Sequence, residues 1–121
     1  MQVVGLCRFS YPAHGGFQTE HDSIDERIRF LYAETRLEER FRIFECFTLP
    51  ALQAQSDPDF TLIVVIGTDM PAPARARLEG LLEGLPQAVI RAMEPGRHRS
   101  VMGQIINDAR RGDSRPCIQF R

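Results

Sequence analysis

No apolar run in this 121-residue chain can cross a bilayer, since the longest, residues 62–66, falls far short of the roughly 20 residues a helical span needs. The opening Met1-Gln2-Val3-Val4 also lacks the charged leader and apolar stretch of a secretory signal, so a cytoplasmic chain is expected. Charge of neither sign dominates: 15 basic side chains face 16 acidic ones with no basic block, which excludes the electrostatic footprint of a nucleic-acid binder. Cysteine is scarce. Cys7, Cys46 and Cys117 are odd in number, far apart and set among apolar residues, which fits neither a zinc site nor a disulfide framework and predicts buried, reduced thiols. Neither G-x-G-x-x-G nor G-x-x-x-x-G-K occurs, which argues against nicotinamide dehydrogenases and P-loop enzymes. Internal repeats and low-complexity segments are absent as well.

What is present is a core's worth of apolar residues, 43% of the chain, patterned as alternating strands and helices. Residues 3–9 form a short apolar run that ends in the turn-rich residues 10–16 and reads as a first strand. Ile24, Ile28 and Leu31 mark a short helix, and Thr35 with Glu38 offers a capping box for a second, whose buried stripe is Leu37, Phe41, Phe44 and Thr48. Pro50 has no amide proton and its ring collides with the carbonyl four residues back, so a kink or restart is expected there. After the turn at residues 56–59, the β-branched run 60–66 shows little alternation, the mark of a central strand buried on both faces. Pro71 and Pro73 introduce a crossover helix with Leu78, Leu81, Leu82 and Leu85 on one side. A weaker strand over 88–93, a helix from about His98 to Arg111 with Val101, Ile105, Ile106 and Ala109 as its apolar face, and a buried strand over 117–120 complete the series. Strands joined by helical crossovers run parallel, which predicts an α/β fold: a Rossmann-like three-layer half-sheet of about four strands in one domain.

Parallel sheets carry their chemistry just beyond the carboxyl ends of their strands. Those ends gather Arg8-Phe9-Ser10, Gly67-Thr68-Asp69, Glu94-Pro95-Gly96 and Arg121. An aspartate in such a place can accept hydrogen bonds from a base or ribose; Asp69 equally suits a cap on the helix that starts near Pro71. Arg97 and Arg99 stand in the first turn of a helix, where positive charge opposes the macrodipole and a bound anion would relieve the conflict. A solvated basic turn paired with Glu94 is the competing reading. Asp57-Pro58-Asp59 precedes a strand and reads as a turn, not a metal site. His21-Asp22-Ser23 has the residue types of a hydrolytic triad, yet neighbours in sequence cannot all face one reacting atom. His14 and His21 read as surface loop residues.

Residues 49–67, a helix ending in Gln and a short turn before the second strand, resemble the glycosyltransferase A-type (GT-A) fold. The opening Gly5-Leu6-Cys7-Arg8-Phe9-Ser10-Tyr11, the segment Glu39-Arg40-Phe41-Arg42-Ile43-Phe44-Glu45, and Pro95-Gly96-Arg97-His98-Arg99 resemble more narrowly a bacterial rhamnosyltransferase family. The resemblance covers nearly the whole chain. It implies a nucleoside diphosphate sugar as donor, with Arg8 and Ser10 beside the nucleotide, Asp69 near its base or ribose, and Arg97 and Arg99 near the diphosphate. It further implies Mn²⁺ or Mg²⁺ held by an acidic run after the fourth strand. That run would begin past Arg121, so a donor-binding amino-terminal part is expected, truncated before its metal ligands and acceptor site and inactive alone. The alternative is a non-enzymatic α/β module that binds a partner or an anion through the Arg97–Arg99 turn.

Overall fold

The computed structural model describes residues 2–12, 23–110 and 117–120. Four parallel strands, β1 (Gln2–Arg8), β2 (Thr61–Gly67), β3 (Ala88–Met93) and β4 (Cys117–Phe120), form one sheet in the order β3-β2-β1-β4. The α/β half-sheet expected from the alternating pattern is therefore present. Alternation along the strands sorts their side chains to two faces. Cys7, Phe9, Leu62, Val64 and Ile66 lie on one; Val4, Leu6, Ile63 and Val65 lie on the other. The residues of β2 from Leu62 to Gly67 are all buried, which accounts for the missing polar alternation in that run.

Helices cover both faces. On the first are α2 (Glu34–Ile43), α3 (Leu49–Gln53) and α4 (Ala72–Leu82), through Leu37, Phe41, Leu49, Leu78 and Leu82. On the second, α5 (His98–Arg110) packs Met102, Ile105 and Ile106 against the sheet. A short α1 (Ile24–Leu31) starts at Ser23, whose side chain accepts the Glu26 amide at 3.1 Å.

Several local expectations give way to other physics. Thr35 and Glu38 do not form a capping box: α2 begins two residues earlier, with Ala33 at its N-cap and no side-chain cap, and Glu38 instead pairs with Arg77 of α4 at 2.6 Å. Between α2 and α3 the helix widens into one π-turn, Phe44–Thr48, closed by the Leu49 amide on the Phe44 carbonyl. The inserted residue rotates the following turn, so the buried stripe passes from Phe44 to Leu49 and not to Thr48. Pro50 then falls in the first turn of α3, where a missing amide proton costs nothing. Cys46 stands exposed on this π-turn, and Cys7 on β1 is only partly buried, against the expectation of buried thiols; the Cys117 side chain lies outside the described residues. The fourth strand was expected to be buried, yet β4 is an edge strand and Ile118 on it is half exposed.

Candidate functional site

The strand order determines where a ligand can sit. From β1 the chain steps outward to β2 and β3, then returns to pair β4 on the opposite side of β1. The crossover helices pack on opposite faces of the sheet, which makes the carboxyl ends of β1 and β4 its topological switch point, where open α/β sheets bind their ligands. Arg8 ends β1 at that point, and Ser10 follows it.

Ser10 adopts φ 53°, among the described residues the one non-glycine in the left-handed region. Such a conformation costs an L-residue about 1–2 kcal/mol. Phe9 still pairs with β2, its amide donating to the Val65 carbonyl at 2.9 Å, so the chain turns sharply at the following residue. The turn carries Tyr11 and Pro12 across the ends of β2 and β3. Tyr11 is fully buried and donates its hydroxyl proton to the Glu94 carbonyl at 2.6 Å. Pro12 lies so close to Gly67 that a Cβ there would meet Pro12 Cδ at 2.7 Å. The Gly67 amide donates to the Tyr32 hydroxyl at 3.1 Å. Burial pushes the Tyr32 phenol up to about 12, with the nearby Asp69 charge adding to the effect. Burial also raises the Tyr11 phenol.

The residues singled out by sequence fall as follows. Arg8 is partly buried, and burial together with the charges of Arg40 and Arg27 makes its guanidinium less favourable to hold charged. Ser10 is 3% exposed and its Oγ has no hydrogen-bond partner among the described residues. Asp69 is exposed in the turn after β2, and it does not cap α4, whose N-cap is Pro71 with no side-chain bond. Arg97 and Arg99 are exposed at the start of α5, and the competing pairing with Glu94 does not occur: neither makes an ion pair among the described residues. The strand ends thus bring Arg8, Ser10 and Asp69 to one edge, with Arg97 and Arg99 flanking it on the α5 face. His14 and His21 and the start of the His21-Asp22-Ser23 segment lie outside the described residues. Asp57 and Asp59 do form a turn, with the Asp59 amide donating to Asp57 Oδ1 at 2.9 Å.

Sequence reasoning missed Tyr11 and Tyr32, whose partners lie far away along the chain. It also missed Arg27, which is only 5% exposed. That one was visible: Arg27 stands four residues before the buried Leu31, on the inward stripe of a helix otherwise read from its apolar positions.

Residues 2–121 match the family model described as "Putative rhamnosyl transferase". The chain belongs to this family. No curated protein and no solved structure matches it. The family's name makes the chain a relative of glycosyl-transferring proteins. Among the described residues no group of three or more His, Cys, Asp or Glu side chains gathers as ligands for the divalent cation that the GT-A resemblance implies. The described residues therefore do not fit that cation. No helix among them is long and apolar enough to cross a membrane.

Proposed function

We propose that this chain is the donor-binding part of a glycosyltransferase, one unit that seats the nucleoside diphosphate of an activated sugar along the carboxyl edge of its sheet. The observation that carries the reading is the reversal of strand order beside Arg8 and Ser10 in a chain that matches a rhamnosyl transferase family from end to end. Asp69, exposed one strand away, accepts from the base or ribose. Arg97 and Arg99, exposed and without ion pairs among the described residues, offer charge to the diphosphate from the α5 face. In the transfer an acceptor hydroxyl forms a bond to the sugar's anomeric carbon, while the bond to the diphosphate oxygen breaks and the nucleoside diphosphate leaves with the electron pair. This chain's part is to bind and orient the leaving group. Rhamnose is the donor sugar that the family name favours.

Calorimetric titration with nucleoside diphosphates and with inorganic pyrophosphate tests the reading. A nucleoside diphosphate should bind more tightly than pyrophosphate, with a preference among bases, and Asp69→Asn should weaken the nucleoside ligand alone. Arg97 and Arg99, exposed and without an ion pair among the described residues, favour a second reading, an anion-binding module without transfer. Equal affinity for every base and for pyrophosphate would move the assignment there.

A further inference from the structure

Tyr11 and Tyr32 are the two tyrosines of the chain, and both hydroxyls lie at the carboxyl edge of the sheet. A phenol can give one proton and accept another. Tyr11 gives its proton to the Glu94 carbonyl. Tyr32 is used the other way: its oxygen accepts the Gly67 amide at 3.1 Å, and among the described residues its own proton has no acceptor. The ring of Tyr32 packs on the core cluster that holds Phe41, Val64 and Ile66, so the hydroxyl is held at one point, at the end of β2.

That point adjoins a turn fixed on two sides. The Met70 amide donates to the Gly67 carbonyl at 3.2 Å, which makes Gly67–Met70 a four-residue turn with Asp69 at its third position, and the Thr68 amide donates to the Met93 carbonyl at 3.3 Å. A Cβ at Gly67 would collide with the Tyr32 hydroxyl, so glycine is what admits the phenol here. Asp69 is exposed, makes no hydrogen bond or ion pair among the described residues, and its charge reaches the Tyr32 phenol.

The end of β2 therefore presents a proton to give beside a carboxylate that only accepts. A phosphate group does not suit it, having only oxygens to offer and a charge that Asp69 repels. A neutral group with an acceptor beside a donor does: the carbonyl and N–H of a base, or neighbouring hydroxyls of a ribose. Burial keeps the phenol protonated far above neutral pH, so the proton is there to be given.

We propose that Tyr32 is a binding residue of the donor site, its hydroxyl donating to the nucleoside while Asp69 accepts from it. The ligand's identity rests on the donor-binding reading, to which this adds a side chain from the end of α1.

A tyrosine that served only as acceptor for the Gly67 amide would alter stability and nothing else, so the tests read binding. The ligands are the diphosphates of uridine, guanosine and adenosine, with inorganic pyrophosphate as the reference. In calorimetric titration Tyr32→Phe should bind the preferred nucleoside diphosphate about fivefold more weakly, the worth of one neutral hydrogen bond, and pyrophosphate as before. The second measurement uses the unsubstituted protein labelled with carbon-13 at tyrosine Cζ, in which Tyr11→Phe assigns the two resonances. The Tyr32 resonance should move on saturation with that nucleoside diphosphate and stay in place with pyrophosphate. Unchanged affinity in Tyr32→Phe with base preference intact overturns the role of Tyr32 and leaves the donor reading standing, as does a Tyr32 resonance that the ligand does not move. Equal binding of every diphosphate and of pyrophosphate by the unsubstituted protein overturns both. Where the fivefold loss is found, the 2′-deoxy form of the same ligand locates the partner: a loss that disappears places the Tyr32 bond on the ribose, and a loss that persists places it on the base.

Discussion

Tyr11 donates its hydroxyl proton to the Glu94 carbonyl at 2.6 Å, and this one bond ties the turn after β1 to the turn after β3 across 83 residues of chain. It holds Gly96, Arg97 and the start of α5 against the edge where Arg8 and Ser10 lie. Tyr11→Phe keeps the ring in its apolar place and removes only the bond. Stability to urea should fall by about 1 kcal/mol with an unchanged slope. Nucleoside diphosphate affinity should fall with it, because Arg97 loses its anchor.

Tyr32 gives the protein a distinct alkaline limit. Its phenol is held near 12 in the folded chain and returns to about 10 when unfolded. Below pH 10 both states keep the proton and the contribution is whole. Between pH 10 and 12 the unfolded chain releases a proton that the native chain retains, so stability falls as pH rises. Tyr32→Phe should flatten that decline, as measured by urea midpoints across the same window. An equally steep decline in the variant would place the cause elsewhere.

Gly67 is held to glycine by close approach. An alanine methyl would stand 2.7 Å from Pro12 Cδ and against the Tyr32 hydroxyl. Gly67→Ala should cost about 2 kcal/mol. It should also displace Pro12, detectable as amide shifts through residues 9–12 in the variant's spectrum.

Ser10→Gly should act in the opposite direction. Glycine enters the left-handed region freely and removes a hydroxyl without a partner, which outweighs its greater entropy in the unfolded chain. A net gain of about 1 kcal/mol is expected, measured as a raised urea midpoint. A loss of stability would mean that the Ser10 hydroxyl is bonded in the folded chain.

The layers of this fold were legible because each strand and helix announces itself by local pattern. The run 60–66 could only be a buried strand, and Leu78, Leu82 and Leu85 could only face a sheet. The π-turn was not legible, because Leu37, Phe41 and Phe44 keep ordinary helical spacing and the extra residue shows itself only when Leu49 replaces Thr48 in the core. In the site, the positions of Arg8, Ser10 and Asp69 followed from strand ends alone. The tyrosine bonds did not, since each joins residues distant in sequence, and no local rule forecasts that Ser10 turns left-handed. Arg97 and Arg99 stand exposed at the start of α5, where the helix pattern put them, while the buried Arg27 passed as one more charge on a helix whose apolar stripe alone was traced.

The most direct test is to titrate the protein with a nucleoside diphosphate while following its backbone amide resonances. Saturating shifts confined to Arg8, Ser10, Asp69 and the turn at Gly96 and Arg97 are what a donor-binding carboxyl edge predicts. A flat titration at millimolar ligand, or shifts gathered at the amino ends of the strands around Asp57 and Phe60, would contradict it.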